Sequence, residues 1–422
     1  MKCTPWAGIP AAALILLAPA FSANAGEEHP MALPPPAGTG GGGWDGGCAF
    51  LDWLGTPVYD NPGGPLLQSV KFFGRAQFQY AYVDGEDING AGFSADFEEI
   101  RRLRFGTEVK FLNYFKAKVN ANLEDDNSPK GQDRDIQYSS LDEARVSFDI
   151  KKAFGAGALD GLTLNYGRHK VKMSQEVHTS SKKIKTVERS APANKIYPVR
   201  MTGATLDASQ GNWAAALGLF TTDDSRELAS WNAGAALYGS ATVEVAEGHE
   251  VILDFLWNDA NGDAGDNRVA DNNDYDLYEW ALSAAWVASG PRWEVLVNGM
   301  VGDNGSQSKM AREGNFYGLV VMPSYEIVED RLEGVLRYSY QGAEEDQGIR
   351  TNSRYFRRDH GGNVNSGRGD EHHSIYAGLN YFLCGHEAKF MAGVELESLD
   401  TPGAGDGDAD GVTYWLAFRT YF

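Results

Sequence analysis

Apolar and polar residues alternate with a period of two along much of this chain, most clearly in its last eleven residues. The apolar positions of this final segment are Val412, Tyr414, Leu416, Phe418 and Phe422. Thr413, Arg419 and the hydroxyl group of Tyr421 occupy the alternate positions. Because successive side chains of a β-strand point to opposite faces, the segment predicts a strand with one apolar and one polar face. A transmembrane β-barrel requires such strands, and a soluble protein with two packed sheets shows the same period.

About sixteen segments of this kind follow one another along the chain. They begin near residues 70, 97, 113, 139, 160, 199, 211, 231, 249, 275, 291, 312, 331, 371, 386 and 411. Short connections, such as 209–212 and 288–291, alternate with longer ones, such as 84–96 and 171–198. A barrel with both termini in the periplasm requires this order, whereas a soluble sandwich gives no reason for it. The pattern therefore predicts an all-β fold, a 16-stranded antiparallel transmembrane β-barrel over 70–422.

Charged residues in the strands favour a water-filled interior. In the segment that contains Leu103 and Phe105, these two side chains would face lipid, while Arg102 and Arg104 would face inward. A charge on the lipid face costs roughly 2–4 kcal/mol at the middle of the membrane. Charges confined to one parity therefore indicate that the inner face is wet.

The N-terminal part of the sequence predicts export. Lys2 precedes an apolar stretch over 9–20, and Ala23-Asn24-Ala25 fits a cleavage site, so we expect a signal peptide over 1–25. Residues 26–69 are rich in Pro and Gly and are interpreted as a periplasmic extension. Nothing later has the 18 or so uninterrupted apolar residues of a membrane helix. If the chain spans a bilayer, it must do so as a closed barrel, which places it in the outer membrane of a Gram-negative-type bacterium.

The charge of the chain is unevenly distributed. The formal net charge of −21 argues against a nucleic-acid partner. Between Arg168 and Arg200, however, nine basic residues accompany only two acidic ones. This stretch is the third outer loop, and a basic constriction inside the barrel would concentrate anions and exclude cations. The alternative is a solvated basic loop that lies on anionic lipopolysaccharide.

The same loop carries a family resemblance. Residues 166–190 contain a Gly-x-x-Lys, a Ser-x-Glu, a Ser-Ser pair and a Glu-Arg pair, in this order. This order resembles the signature of the phosphate-selective porin O and P family, and the likeness extends over roughly 70–422. The resemblance implies a homotrimer of 16-stranded barrels, each with an inward-folded third loop, in which Arg and Lys side chains pass anions along a ladder.

Carried over residue by residue, the resemblance implies two groups of residues at a channel constriction. The loop would contribute Lys172, Ser180, Ser181, Lys182, Lys183 and Arg189. The facing wall would contribute Arg75, Arg101, Arg102 and Arg104. Hydroxyl and amide groups can replace the hydration shell of an anion, while fixed cations offset its desolvation. Two observations leave alternatives open: Glu188 and Arg189 could pin the loop to the wall, and several acids share the inward parity, namely Glu108, Glu143, Asp149, Asp254 and Glu333.

The sequence therefore predicts an outer-membrane porin that passes small hydrophilic solutes and favours anions such as phosphate. We expect contacts with outer-membrane lipid and lipopolysaccharide, and we expect no nucleic-acid partner, no cofactor, no metal site and no enzymatic activity. A general diffusion porin is the main alternative. An envelope-anchoring or adhesion protein and a barrel hydrolase are weaker alternatives, and no local hydrolase motif such as Gly-x-Ser-x-Gly occurs.

The two cysteines of the predicted mature chain are Cys48 in the extension and Cys384 in a short periplasmic turn. Both lie on the same side of the membrane, in a compartment where disulfides persist. We therefore predict a disulfide that clips the extension beneath the barrel mouth. Two unrelated thiols are the alternative, because the presence of two cysteines does not guarantee that they meet.

Overall fold

The computed structural model describes residues 45–124, 132–133, 136–155, 157–223, 225–231, 234–259, 278–305, 310–351, 355–357, 362–405 and 407–422. The predicted signal peptide, 1–25, and residues 26–44 of the extension lie outside these described residues. No helix in the described part of the chain is long and apolar enough to cross a membrane.

Sixteen antiparallel strands form the barrel, as the alternation predicts. They are β1 (Leu67–Glu86), β2 (Gly92–Phe111), β3 (Phe115–Glu124), β4 (Ile136–Asp149), β5 (Gly161–Lys170), β6 (Arg200–Gln210), β7 (Trp213–Thr221), β8 (Ala235–Ala246), β9 (His249–Asn258), β10 (Trp280–Ser289), β11 (Trp293–Asp303), β12 (Asn315–Val328), β13 (Leu332–Ala343), β14 (Glu371–Phe382), β15 (Ala388–Asp400) and β16 (Asp408–Tyr421). Each strand pairs with its neighbour in sequence. The sheet closes because β16 pairs with β1, with Tyr421 opposite Arg75. A closed sheet has no edge, which is the condition for crossing hydrocarbon with strands.

Short helices and strands lie in addition to the sixteen barrel strands. The helices are α1 (Asp45–Leu54), α2 (Ile150–Phe154), α3 (Gln175–His178) and α4 (Ala191–Lys195), with 3-10 turns at Met310–Arg312 and Asn365–Gly367. Short strands lie at Pro57–Asp60, Gln132–Asp133, Ile349–Arg350 and Arg368–Gly369. The periplasmic turn that holds α2 shows why such elements form. The Asp149 side chain accepts a hydrogen bond from Lys152 N, and Gly155 ends the helix at φ 67°.

The two faces of the barrel differ as the sequence predicts. Phe78, Tyr80 and Tyr82 of β1 are exposed on the outer face. Arg102 and Arg104 of β2 line the interior, while Phe105, the next residue along the strand, is exposed on the outside. The confirmed parity means that apolar side chains meet lipid and polar side chains surround a lumen.

One connection differs from its prediction. The first outer loop was expected over 84–96, but β1 continues to Glu86 and β2 begins at Gly92. Only residues 87–91 make the turn, in which the Asp87 carboxylate accepts hydrogen bonds from the backbone of Asn89 and Ala91. Polar residues such as Asp84 and Asp96 therefore extend the hairpin, because a sheet above the membrane surface needs no apolar face.

The third outer connection, residues 171–199 between β5 and β6, enters the barrel, and we call it the inner loop. Its apolar side chains Val171, Met173, Val187 and Ile196 are fully buried. They belong to one core cluster with side chains of the barrel wall, such as Leu296, Val320 and Val335. The inner loop thus fills part of the barrel with a packed core and leaves the remaining lumen off-centre.

The extension contacts the end of the barrel opposite to the end from which the inner loop enters. Cys48 of α1 and Cys384 of the turn between β14 and β15 are joined in a disulfide, with their Cα atoms 5.4 Å apart. This separation lies within the range that a disulfide bridges. The helix itself was not expected from the sequence, which indicated only an irregular Pro/Gly-rich tail.

Candidate functional site

Polar side chains of the barrel wall hold the backbone of the inner loop. Lys389 Nζ donates to Ile184 O at 2.7 Å, and Asn380 Nδ2 donates to Lys185 O at 2.8 Å. Arg337 Nη1 donates to Glu188 O at 2.7 Å, and Arg419 donates to Val187 O and, at 3.5 Å, to Ser181 O. These donors come from β13, β14, β15 and β16. Buried carbonyl groups need such partners, so this wall fixes the path of the loop.

Some of the acidic side chains that point into the barrel hold the inner loop in place. Lys185 Nζ lies 3.1 Å from Glu294 and 3.2 Å from Glu333. Asp254 accepts a hydrogen bond from Ser174 N at 3.0 Å, and its other oxygen lies 2.8 Å from His178 Nε2. Asp254 and Glu333 are therefore engaged with the loop, whereas Glu143 pairs with Lys118 of the wall at 2.7 Å, and Glu108 and Asp149 line the lumen.

The lumen lies between the inner loop and the wall formed by β1 to β9. It is a cavity of about 2630 Å³, and its lining includes all ten residues proposed from the sequence for the constriction. Twenty-two basic and fourteen acidic residues line this cavity. The lumen is thus basic in a chain whose formal net charge is −21.

The loop residues proposed for the constriction have different surroundings. Lys172 and Lys183 are half-buried in the lumen lining, and neither forms an ion pair with a carboxylate in the described ranges. Lys182 Nζ lies 4.4 Å from the centre of the Tyr421 ring. Ser180 O accepts a hydrogen bond from Lys183 N at 2.8 Å, which makes the tight turn that presents these side chains.

Two of the proposed loop residues are more buried. Ser181 is buried, and its hydroxyl accepts a hydrogen bond from Arg75 on β1. Arg189 is also buried, and its guanidinium donates to Glu176 O at 2.6 Å and to Thr179 O at 3.0 Å. These two hydrogen bonds of Arg189 are with its own loop, and they hold the turn in shape.

A β-bulge explains how two consecutive arginines both reach the lumen. In the pairing of β1 with β2, Gln77 lies opposite Arg102 and Phe78 lies opposite Ile100, so Arg101 is the additional residue. Arg102 Nη1 donates to Gln77 Oε1 at 2.8 Å. Arg101 donates to Glu188 of the inner loop. The Glu188 carboxylate therefore pins the loop to the wall.

A second bulge places an acid that strict alternation does not assign to the lumen. Asn120 lies opposite Glu143 and Ala121 lies opposite Leu141, so Asp142 is additional. Asp142 lies 3.0 Å from Arg104 and 2.8 Å from Arg200. Its carboxylate holds the two guanidinium groups in place at the lumen wall.

A residue of another outer loop reaches the same network. Tyr355 is fully buried, with its ring 4.9 Å from Phe97 and 5.0 Å from Trp415 between centres. Its hydroxyl donates to Glu99 and accepts from Gln79 Nε2 at 2.7 Å. Gln79 Nε2 also lies 3.0 Å from Glu188 Oε1. Through Tyr355, the connection between β13 and β14 contacts Gln79, which in turn contacts Glu188 of the inner loop. No local pattern in the sequence indicates this contact.

Over residues 70–395 the sequence matches the family described as "Phosphate-selective porin O and P". No curated protein matches it significantly. The fold is similar to OmpT, an outer membrane protein of Vibrio cholerae, with 10% identity, a TM-score of 0.53, and coverage of 87% of this chain and 99% of that one.

Two further structures show the same fold. An anion-selective porin from Comamonas acidovorans has 12% identity and a TM-score of 0.52, with coverage of 83% of this chain and 99% of that one. A trimer form of OmpT from Vibrio cholerae has the same identity and TM-score, with coverage of 84% and 99%. The family match spans most of the chain, and the structure is a closed barrel that encloses a lumen. The chain therefore belongs to the phosphate-selective porin O and P family of outer-membrane channels.

Proposed function

We propose that this channel favours small inorganic anions, phosphate among them, over cations. The main support for this proposal is that basic residues predominate in the lining of the lumen although the whole chain is strongly acidic. Low-dielectric walls focus the field of these charges into the lumen, which raises the local anion concentration. The likeness to a structure titled an anion-selective porin supports the same preference.

The inner loop supplies the groups that an anion would meet. Lys172, Lys182 and Lys183 offer ammonium groups, and Ser180 offers a hydroxyl group to the same lumen. Arg75 and Arg104 face them from the wall. Such groups replace the water that an anion loses, and their modest number on a solvated surface keeps binding weak enough for release.

Competition between anions tests this proposal. In planar bilayers with potassium chloride on both sides, added phosphate should lower the chloride current along a saturable curve, because both ions occupy the same basic sites. A neutral sugar of similar size should lower it only in proportion to the volume it displaces. Equal and unsaturable effects of phosphate and sugar would instead indicate a general diffusion porin.

We also propose that the protein assembles as a homotrimer, which the trimer form of the similar OmpT supports. Native mass spectrometry in detergent should give the mass of three chains. A mass of one chain in mild detergent would contradict this assembly.

A further inference from the structure

The described part of the extension, residues 45–66, is attached to the periplasmic rim of the barrel in three places, and we call it the mouth segment. The disulfide joins Cys48 to Cys384, and Asp52 hydrogen-bonds to Glu387 in the same turn. The strand Pro57–Asp60 pairs with the start of β1. Because β16 pairs with β1 only from Arg75 onward, this strand occupies the part of the β1 edge that β16 leaves uncovered.

The mouth segment borders the lumen and is acidic. Asp52 and Asp60 line the cavity, together with Gly55, Pro57 and Pro62. In sequence the segment carries three aspartates and no basic residue. Glu387, its partner in the turn, lines the same cavity. The mouth segment and Glu387 therefore form an acidic patch on one side of the periplasmic end of the lumen, which we call the negative rim, while Lys110, Lys151 and Lys152 line the lumen elsewhere near that end.

This rim is close to the basic constriction. Lys182 packs over the ring of Tyr421, the penultimate residue, and Gly55 at the end of α1 lies against Phe422, the last residue. Burial and the adjacent Asp52 raise the pKa of Glu387, whereas Lys182 and Lys71 lower it. Tyr421 N donates a hydrogen bond to Glu387 O at 3.0 Å, so Glu387 lies beside the residue over which Lys182 packs, a lysine that the proposed function assigns to the anion path.

We infer that Asp52 and Glu387, a hydrogen-bonded carboxyl pair that shares one proton, form a release element, in which the negative charge of the pair competes with a permeating anion for Lys182 and weakens its hold at the periplasmic exit. The mouth segment keeps Asp52 in position, and the disulfide keeps the mouth segment in position. This inference rests on the proposed anion preference. A selective channel must release the anion as well as attract it. Competition from the carboxyl pair promotes this release.

Two electrical properties follow. Neutral amide groups do not compete with phosphate, so Asp52→Asn together with Glu387→Gln should lower the phosphate concentration that halves the chloride current. We expect a change of about 1.5- to 5-fold, the range for the loss of one partly exposed ion pair. These carboxyl groups also lie at one end of the lumen only, so their removal should change the rectification of the channel.

The experiment compares oriented single channels of four proteins in planar bilayers. They are the wild type, the Asp52→Asn/Glu387→Gln variant, the Cys48→Ser/Cys384→Ser variant, and Glu247→Gln as a control for an exposed acid in another periplasmic turn that does not line the lumen. The cysteine variant, and wild type reduced with a phosphine on the periplasmic side, should shift in the same direction as the double carboxylate variant. The control should match the wild type.

Unchanged half-blocking concentration and unchanged rectification in the carboxylate variant would overturn the release element, even if thermal stability falls. Unchanged behaviour after reduction, with two free thiols titrated, would overturn the role of the disulfide. The reversal potential of the wild type is measured in the same bilayers. A cation-selective wild type would refute the proposed function itself, so the two failures are distinguishable.

Discussion

Replacing Arg337 by Met should lower the free energy of unfolding by about 3–5 kcal/mol, the cost of leaving buried charges without their partner. The guanidinium is 1% exposed. It lies 2.7 Å from Glu395 and 3.5 Å from Glu176. It also donates to Thr186 Oγ1 at 3.1 Å. Methionine fills a similar volume but leaves two buried carboxylates without this cation and removes one of the two donors to Glu188 O, the other being Thr186 Oγ1.

The same variant should alter the channel. Arg337 is one of the wall groups that fix the inner loop, so its loss should give a larger and noisier single-channel conductance. Urea titration of protein refolded in lipid vesicles gives the stability, and planar bilayers give the conductance. Lys183→Met is the matched control, because it removes a half-buried cation of the same loop that pairs with no described carboxylate. Equal stability of the two variants would contradict the anchoring role of Arg337.

Replacing Lys172, Lys182 and Lys183 together by Gln should lower the anion-to-cation permeability ratio roughly tenfold. Three partly screened charges at about 0.5 kcal/mol each would give a change of this size. The barrel should remain folded, since all three lysines line the water-filled lumen, and Lys172 and Lys183 form no ion pair with a carboxylate among the described residues. The ratio is obtained from reversal potentials in a salt gradient.

Arg331→Gln serves as the control for this triple variant. Arg331 lies in the short turn between β12 and β13 and does not line the lumen. Removing its charge should leave the permeability ratio unchanged. A triple variant with the wild-type ratio would show that the basic loop does not set selectivity. Arg189, which the sequence placed beside these lysines, is left intact because its contacts shape the loop.

Much of the fold could be predicted because strand alternation is a local property. The parity of Leu103, Arg104 and Phe105 follows from neighbouring residues alone, and so does the order of short and long connections. The same rule fails at Asp142, because a bulge depends on the partner strand as well as on the strand itself. Strict alternation would likewise assign Arg101 and Arg102 to opposite faces.

The contacts of the inner loop could not be predicted for a different reason. Ile184 meets Lys389, and Glu188 meets Arg101, across separations that only the closed barrel determines. The charge of the loop was visible in the sequence, whereas its division into anchors and lumen-facing lysines was not. Helix α1 was missed as well, because a short helix that begins Asp-Gly-Gly has weak intrinsic propensity and depends on tertiary contacts.

The reversal potential of the wild-type channel across a tenfold gradient of potassium chloride is the most direct test of an anion-favouring lumen. A perfectly anion-selective channel would reach about 59 mV, with the sign set by chloride. We expect a potential of that sign and a substantial part of that size. A potential near zero would describe an unselective pore, and a potential with the sign set by potassium would contradict the proposed function.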